Sequence, residues 1–388
     1  MMADSFSHHL SHFYQSFQMQ NIKHSLISPV PGTQRFVDSF HFGTKASGKK
    51  AYIQASLHAD ELPGMLVAWT LKKRLLELEQ QGQIQGEVVL VPVANVIGQN
   101  QHLMDIHLGR YDLENGQNFN RNFLDTYPEV KARIADKLTD DIETNQALIR
   151  VEMQQVLSEW QVETELQSQQ QVLQSLSCDA DVMLDLHCDY EAALHIYSTD
   201  YSWQGIEPLA RLLGSKANLL ANETGGQPFD CSTDMVWQRL SEDFGKCIPQ
   251  GCLGATVELR GQLDVTEEYA QHDAQAILSF LALQDIITLP ELDLPEELAP
   301  SSPLAAVETI KAKQGGIVVL KVQPGDWIDA GAEFAHIIDP ITDRVEVVKV
   351  SQAGYVYSRT NRRMATAGML LGNVAGETII RSGYLLAP

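Results

Sequence analysis

Two apolar runs of this sequence end at residues that can bind a metal ion. The run at 51–57 leads into His58-x-x-Glu61, and the run at 181–186 ends at His187. A tight turn of this spacing lets the His58 and Glu61 side chains converge on one point. Two histidines and one glutamate, with a fourth position left to water, form the ligand set of catalytic zinc hydrolases. These patterns predict a site for one Zn²⁺ per chain at His58, Glu61 and His187.

Further polar residues lie between and after these two runs. Arg110 and the pair Asn120-Arg121 lie between them, and a third apolar run carries the lone acidic residue Glu258. Taken in order, the motifs His-x-x-Glu, Asn-Arg, Asp-Leu-His and Val-Glu-Leu-Arg-Gly resemble the succinylglutamate desuccinylase/aspartoacylase family. That family is a branch of the carboxypeptidase A-type zinc hydrolases, and the resemblance covers roughly residues 45–285 and a shared C-terminal module.

The resemblance implies a role for each of these polar residues. A cation near the metal stabilises the negative oxygen of an amide-hydrolysis transition state, and Arg110 corresponds to the family's arginine for this purpose. Glu258 corresponds to the general base, a role that burial supports by raising the pKa of a carboxylate. Asn120 and Arg121 would bind the substrate's α-carboxylate, which a guanidinium can grip with two hydrogen bonds.

Structural interpretations of the same residues remain open at this point. Glu258 could instead pair with Arg260 at the end of its strand. Asn120 could cap a helix and leave Arg121 at the surface. Cys188 directly follows His187, so its thiol is an alternative metal ligand.

Several other residues are weaker candidates for the site. Arg239 could supply a second contact to a substrate carboxylate. In aspartoacylase a tyrosine of the C-terminal domain also enters the site, and Tyr355 or Tyr357 could do so here. Asp185 could orient a metal ligand from behind, or it could face solvent. The remaining histidines near these motifs are predicted to pack in loops or in the sheet: His102, His107 and His195.

The elements around these residues alternate between strands and helices. A helix predicted over 63–80 separates strands at 51–57 and 87–93, and this βαβ unit implies parallel pairing. The Gln-rich segment 128–177 keeps apolar residues at helical spacing, which predicts two or three inserted helices. A short helix is also predicted at 6–18. The fold expected from the resemblance is α/β, a carboxypeptidase-like mixed β-sheet flanked by helices.

The domain organisation is indicated by a segment rich in proline and acidic residues. Four prolines between 290 and 303 predict a linker at 291–303 that follows a catalytic domain at 1–290. The short strands of 304–388 predict a small all-β module that resembles a lipoyl/biotinyl-type β-barrel. The cofactor of that family is carried by a lysine in a tight hairpin, and we find no such hairpin here, since Lys349 lies inside a valine-rich run. A covalent cofactor is therefore not expected.

Composition limits the classes of partner. The net charge of −22 argues against nucleic acid and anionic membrane surfaces, because their phosphates would repel the protein. The five cysteines show no Cys-x-x-Cys spacing, as expected for reduced thiols in the cytoplasm. The N-terminus lacks the features of a signal peptide, and no apolar run is long enough to span a membrane. We therefore expect a cytoplasmic protein, and a homo-oligomer remains possible.

The sequence favours a zinc-dependent amidohydrolase that removes the acyl group from a small N-acyl amino acid. The reaction would use metal-activated water with Glu258 as the base. A zinc carboxypeptidase acting on peptides is an alternative within the same class. A non-catalytic protein that binds an amino-acid derivative is an alternative from another class, although such a protein has no use for the base.

Overall fold

The computed structural model describes residues 19–222, 225–291, 293–383, 385 and 386, so the helix predicted at 6–18 lies outside the described residues. The helices are α1 (Leu62–Gln80), α2 (Tyr127–Ile134), α3 (Ile142–Glu159), α4 (Glu165–Ser177), α5 (Asp200–Leu213), α6 (Asp234–Phe244) and α7 (Glu267–Leu283). The first twelve strands are β1 (Gln20–Ser25), β2 (Phe36–Gly43), β3 (Lys50–Ala55), β4 (Glu87–Val91), β5 (His102–Leu103), β6 (Ile106–His107), β7 (Val182–Asp189), β8 (Glu191–Ala192), β9 (His195–Ser198), β10 (Ala217–Leu220), β11 (Leu253–Gly261) and β12 (Ser301–Pro303). The C-terminal strands are β13 (Val307–Lys311), β14 (Gly316–Leu320), β15 (Trp327–Ile328), β16 (Glu333–Asp339), β17 (Arg344–Lys349), β18 (Gly354–Arg359), β19 (Met364–Ala365) and β20 (Leu370–Ala375).

The largest sheet has nine strands in the order β1-β2-β4-β3-β7-β11-β9-β10-β12. Its central strands β4, β3, β7 and β11 run parallel, while β9 pairs antiparallel with β11. Parallel strands bring their carboxyl ends to the same edge of a sheet, where open α/β sheets bind their ligands. The residues that follow β3 and those that end β7 and β11 therefore meet at one place.

Helices cover both faces of this sheet. Helices α1, α5 and α7 pack on one face and share a core cluster with the central strands. Helices α2, α3, α4 and α6 cover the other face, with Ile149, Met153 and Leu173 fully buried. The Gln-rich segment thus forms three helices, because its apolar residues meet the sheet at helical spacing. The predicted mixed α/β sheet flanked by helices is confirmed.

One prediction about an individual element needs correction. The alternation of apolar and polar residues over 33–42 predicts an edge strand, but β2 lies second from the sheet edge because β1 pairs with its outer side. The predicted linker ends in β12, which pairs in parallel with β10 and so extends the large sheet. Short segments such as β12 carry little periodic signal, so pairing with a distant strand decides their structure.

The C-terminal strands form two smaller sheets around their own core, in which Phe334, Ile337 and Leu371 are fully buried. One sheet has the order β13-β20-β18-β15 and the other β17-β16-β14-β19. Among the described strands these two sheets do not close into the predicted barrel. Strand β8, which follows β7, pairs with β18 and ties the C-terminal sheets to the large sheet. In the part of the chain that the structure describes, we find no helix with the length and apolar character needed to cross a membrane.

Candidate active site

Three buried side chains, His58, Glu61 and His187, converge at the carboxyl edge of the large sheet. Their ligand atoms all lie within 4.8 Å of one another. Nδ1 of His58 lies 2.9 Å from Oε1 of Glu61, and Nδ1 of His187 lies 2.8 Å from Oε2 of Glu61. Each of the three residues is at most 3% exposed. The structure thus brings together the three residues predicted to bind zinc.

The hydrogen bonds behind the two histidines turn both Nδ1 atoms toward Glu61. Nε2 of His58 lies 2.8 Å from Oδ1 of Asn118, which also accepts the backbone N–H of Asn120. Nε2 of His187 lies 2.9 Å from Oδ2 of Asp185. Because these oxygens accept, each Nε2 carries the proton. Each Nδ1 then faces a carboxylate oxygen and needs a cation between them, so the donor set fits Zn²⁺.

The side chain of Asp185 is fully buried and hydrogen-bonded to His187, so it does not face solvent. It has the geometry of a carboxylate that fixes the ring of a metal-binding histidine. Asn118 holds His58 in the same way, and sequence reasoning did not single it out. Its position two residues before Asn120 in the polar loop was the available signal.

Backbone geometry places His58 and its neighbours at this edge. Ser56, directly after β3, has a left-handed backbone with a φ of 63°. Its carbonyl accepts the N–H of Asn95, and its hydroxyl accepts a hydrogen bond from Gln99. This bend ends the strand and turns the chain toward the position of Glu61. Pro63 then lies in the first turn of α1, where its missing N–H costs nothing.

Arg110 reaches the metal-ligand residues from the polar loop. Its Nη1 lies 3.1 Å from Oε1 of Glu61 and donates to Nδ1 of His58 at 3.3 Å. About a third of its side chain is exposed, at 37%. A guanidinium that contacts both Glu61 and the cavity can stabilise a negative oxygen that forms there.

Glu258 lies near the end of β11 and lines the same cavity as the three metal-ligand candidates. Its Oε2 is buried, and none of the described residues offers it a hydrogen-bond partner. Burial, together with the negative charge of Glu61, raises the pKa of Glu258 to about 8. A pKa in this range lies close to the working pH of a general base, which has to exchange a proton with water near neutral pH.

The alternative pairing of Glu258 with Arg260 is not what the structure has. Arg260 makes two hydrogen bonds to Asp273, of 2.7 and 2.8 Å, and its guanidinium lies 4.2 Å from the ring of Tyr269. The strand pairing shifts between Glu258 and Gly261, and Arg260 has a φ of 65°. This bulge turns Arg260 outward and leaves Glu258 facing the cavity.

Asn120 and Arg121 also line the cavity, and each is 8% exposed. Oδ1 of Asn120 accepts the backbone N–H of Phe229, which holds this side chain at the cavity wall. The side chain of Arg121 packs on Gly226, where an added Cβ would lie 2.7 Å from Cδ of Arg121. A side chain at position 226 would therefore force Arg121 to shift, and the φ of +76° at this position also favours glycine.

The cavity has a volume of about 290 Å³ and lies between the two parts of the chain. The large sheet supplies one wall, including Thr256 and Tyr197. The C-terminal sheets supply the opposite wall through Ser358, Arg359 and Asn373. Arg359 also bonds Glu191 at 2.6 Å, which fixes this wall close to the strand that carries His187.

The other candidates are placed as follows. Arg239 lies outside this cavity and pairs with Asp125 at 2.9 Å, stacked on the ring of Tyr127. Neither Tyr355 nor Tyr357 is among the described residues that line the cavity. Tyr355 meets the ring of Trp327 edge-to-face, and Tyr357 is buried against His195, with 4.7 Å between the ring centroids.

Cys188 lines the cavity, but only its backbone N–H contacts the metal-ligand group, donating to Oε2 of Glu61 at 3.1 Å. His102 and His107 stack on each other in the hairpin of β5 and β6, outside the cavity. His195 packs within the sheet as predicted, fully buried beside Tyr197.

Comparison with solved structures finds the whole architecture in other proteins. A succinylglutamate desuccinylase/aspartoacylase family protein from Shewanella amazonensis SB2B superposes with a TM-score of 0.79 at 23% identity, over 92% of this chain and 98% of that one. A similarly named protein from Shewanella frigidimarina NCIMB 400 gives 0.78 at 22% identity, over 92% and 98%. The product-bound ectoine utilization protein EutE (DoeB) from Ruegeria pomeroyi gives 0.64 at 14% identity, over 93% and 95%.

At these identities the structures show a shared fold. No curated protein sequence matches this chain significantly. Residues 47–154 match the family model of the succinylglutamate desuccinylase/aspartoacylase catalytic domain, a segment that contains His58, Glu61, Arg110, Asn120 and Arg121. This match confirms the resemblance of the chain to the succinylglutamate desuccinylase/aspartoacylase family that its sequence predicted.

Proposed function

We propose that this protein is a zinc-dependent hydrolase that cleaves the amide bond of a small N-acyl amino acid. The observation that carries the proposal is the buried Oε2 of Glu258, which has no hydrogen-bond partner among the described residues and lies in the cavity where His58, Glu61 and His187 converge. A protein that only binds its ligand gains nothing from a carboxyl group kept without a partner, since such burial costs free energy. A general base has to be free in this way.

The zinc ion would be held by His58, Glu61 and His187. Zinc in such a site supplies Lewis acidity, which lowers the pKa of water and polarises a carbonyl group. Glu258 would accept a proton from the attacking water and then deliver it to the leaving amine. Arg110 would stabilise the negative charge that develops on the carbonyl oxygen.

The substrate's α-carboxylate would bind at Asn120 and Arg121. Arg121 offers a guanidinium for two hydrogen bonds, and Asn120 offers its amide N–H groups. Asp230, which lines the same cavity, accepts a hydrogen bond from the hydroxyl of Thr256. We do not include Arg239 in this contact, because it is paired with Asp125 outside the cavity.

Small substrates are favoured by the wall that the C-terminal sheets build across the cavity. A volume of about 290 Å³ suits a small molecule and leaves little room for a peptide chain. We keep the division into a catalytic domain at 1–290, a linker at 291–303 and a module at 304–388 as part of the proposal.

Metal content tests the site first. Mass spectrometry of wild type supplied with zinc should find about one zinc per chain, and His187→Ala should lose it. Wild type that remains metal-free would overturn the proposal.

Turnover and binding then test the role of Glu258. A panel of N-acetyl and N-succinyl amino acids should identify a substrate, and Glu258→Gln should lose at least about a hundredfold in kcat while it still binds that substrate. Glu143→Gln, at an exposed glutamate of α3, is the matched control and should keep full activity. Unchanged turnover in Glu258→Gln would contradict the assignment of the base.

A further inference from the structure

A buried chain of hydrogen bonds lies behind His187 and extends through two residues of β3. Nε2 of His187 donates to Oδ2 of Asp185 at 2.9 Å, and Oδ1 of Asp185 accepts from Nε2 of Gln54 at 3.0 Å. Oε1 of Gln54 in turn accepts from the hydroxyl of Tyr52 at 2.8 Å. Tyr52, Gln54 and Asp185 are all fully buried.

Strand register creates this chain. Gln54 of β3 lies directly opposite Asp185 of β7 in the parallel pair. Tyr52 precedes Gln54 by two residues, and residues two apart on a strand point to the same face of the sheet. The three side chains therefore lie side by side on one face, and His187 follows Asp185 on that same face of β7.

The direction of every bond in the chain is fixed. The carboxylate of Asp185 only accepts, so Gln54 has to present its NH₂ group to it. A glutamine amide can turn over by half a rotation, and the Tyr52 hydroxyl selects the orientation because it donates to Oε1. Since water does not reach these atoms, each partner is needed to satisfy the next.

We propose that Gln54 and Tyr52 are positioning residues for the metal ligand His187, acting through Asp185. Gln54 holds Oδ1 of Asp185, so the carboxylate keeps Oδ2 directed at His187, and the Nδ1 atom of His187 stays turned toward Glu61. Tyr52 keeps Gln54 in the donating orientation. The inference rests on the proposed zinc site and adds these two residues to it.

A purely structural role would make a different prediction. If Tyr52 and Gln54 only filled space in the sheet, their substitution would lower the stability of the protein without changing its affinity for zinc. A positioning role ties the two side chains to the affinity itself, because a ligand that is free to rotate binds metal less well.

The experiment measures zinc affinity by competition with a chromophoric chelator. The variants are Gln54→Leu, which keeps most of the side-chain volume, and Tyr52→Phe, which removes only the hydroxyl. Gln54→Leu should weaken zinc binding by about 10–100-fold, the usual effect of losing a partner behind a metal ligand. Tyr52→Phe should weaken it less, by about 2–10-fold, because it acts one bond further away. The absorption spectrum of the Co²⁺-loaded protein should also change in both, because ligand geometry sets it.

Matched controls come from residues that do not line the cavity. Gln174→Leu removes a buried glutamine that bonds only the backbone of Leu124, and Tyr201→Phe removes a hydroxyl that bonds the backbone of Pro249. Both controls should bind zinc as wild type does.

Three outcomes separate the alternatives. Weaker zinc binding in Gln54→Leu and Tyr52→Phe, with unchanged controls, supports the inference. Wild-type affinity in both variants overturns it and leaves the proposed zinc site intact. Wild type that binds no zinc overturns the proposed function and the inference with it. If Gln54→Leu fails to fold, Tyr52→Phe decides, since a single hydroxyl is a small loss.

Discussion

The two histidines of the candidate site share one task and are supported in opposite ways. His187 lies within β7, and the carboxylate of Asp185 holds its Nε2. His58 lies in the loop after β3, and the neutral amide of Asn118 holds its Nε2. Both present Nδ1 to the same carboxylate, that of Glu61. Support from the sheet is charged and fixed by register, while support from the loop is neutral and depends on local backbone geometry.

This difference sets the charge of the two rings in the metal-free protein. Burial lowers the pKa of His58, the nearby Arg110 lowers it further, and the net shift is downward. Burial also acts to lower the pKa of His187, but the carboxylates of Asp185 and Glu61 outweigh it and hold the pKa well above 6.5. The carboxylate of Asp185 beside His187 and the guanidinium of Arg110 beside His58 thus separate the pKa values of two otherwise similar imidazoles.

The largest effect is expected from removing the charged support. Asp185→Leu should lower the free energy of unfolding of the metal-free protein by about 3 kcal/mol, because it breaks a buried ion pair and leaves Gln54 unpaired. Asn118→Leu should cost about 1–2 kcal/mol, since it removes neutral hydrogen bonds. Urea denaturation of both variants measures the difference. Equal losses would mean that the two supports do not differ in strength.

A titration tests the separation of the two pKa values directly. In nuclear magnetic resonance spectra of the metal-free protein, His187 should stay protonated above pH 6.5 and His58 should lose its proton below it. The raised pKa of His187 stabilises the fold below its unfolded value of about 6.5, and this contribution is lost as the pH rises through the folded pKa. The lowered pKa of His58 has the opposite effect: it stabilises the fold above the unfolded pKa of about 6.5, and this contribution is lost as the pH falls through the folded pKa.

Asn118→Asp would make the two supports alike and should raise the pKa of His58 toward that of His187. Asn222→Asp, at a surface asparagine that bonds Asp200, adds the same charge away from the site and is the control. If His58 kept its low pKa beside the introduced carboxyl group, the charge of the support would not explain the difference.

Some of this arrangement can be predicted from the sequence. The mostly apolar runs that lead to His58 and His187 predict both the strands and the metal-ligand residues at their ends. The partners of these residues are harder to identify. Gln54 and Asp185 are far apart in the chain, and they touch because β3 and β7 are neighbours in register. Sequence periodicity does not state which strands are neighbours.

Arg239 is a predicted site residue whose packing the sequence also does not reveal. As an arginine in a predicted helix between the His187 and Glu258 motifs, it is a reasonable candidate for binding a carboxylate. Its position on α6 brings it to Asp125 and to the ring of Tyr127, and no local pattern specifies that packing. Asn120 and Arg121 can be found because they belong to a motif whose order along the chain is itself informative.

A third strand near the candidate site, β11, carries Glu258, and neither a carboxylate nor an amide in the described ranges supports this side chain at its Oε2. Among the described residues, Oε2 of Glu258 has no hydrogen-bond partner. Its pKa is raised to about 8 by burial and by Glu61, so the folded protein keeps a proton that the unfolded chain has released above about pH 4.5. The free energy of unfolding should therefore fall between about pH 5 and pH 8 in the metal-free protein. Glu258→Gln should flatten that fall, as measured by urea denaturation at both pH values. An equally steep fall in the variant would contradict the raised pKa.

The smallest effect is expected where loop support depends on backbone strain. Ser56 holds a left-handed conformation that costs a non-glycine residue about 1–2 kcal/mol, and glycine adopts it freely. Ser56→Gly relieves this strain, but it loses the hydrogen bond from Gln99 and makes the unfolded chain more flexible. Because the gain and the two losses nearly cancel, the free energy of unfolding should change by less than about 1 kcal/mol. Ser198→Gly, at a buried strand serine that bonds the carbonyl of Gly254, has no strain to relieve and should cost more. Equal costs at the two serines would show that the bend before His58 stores no strain, and the loop that carries His58 would then be as relaxed as the strand that carries His187.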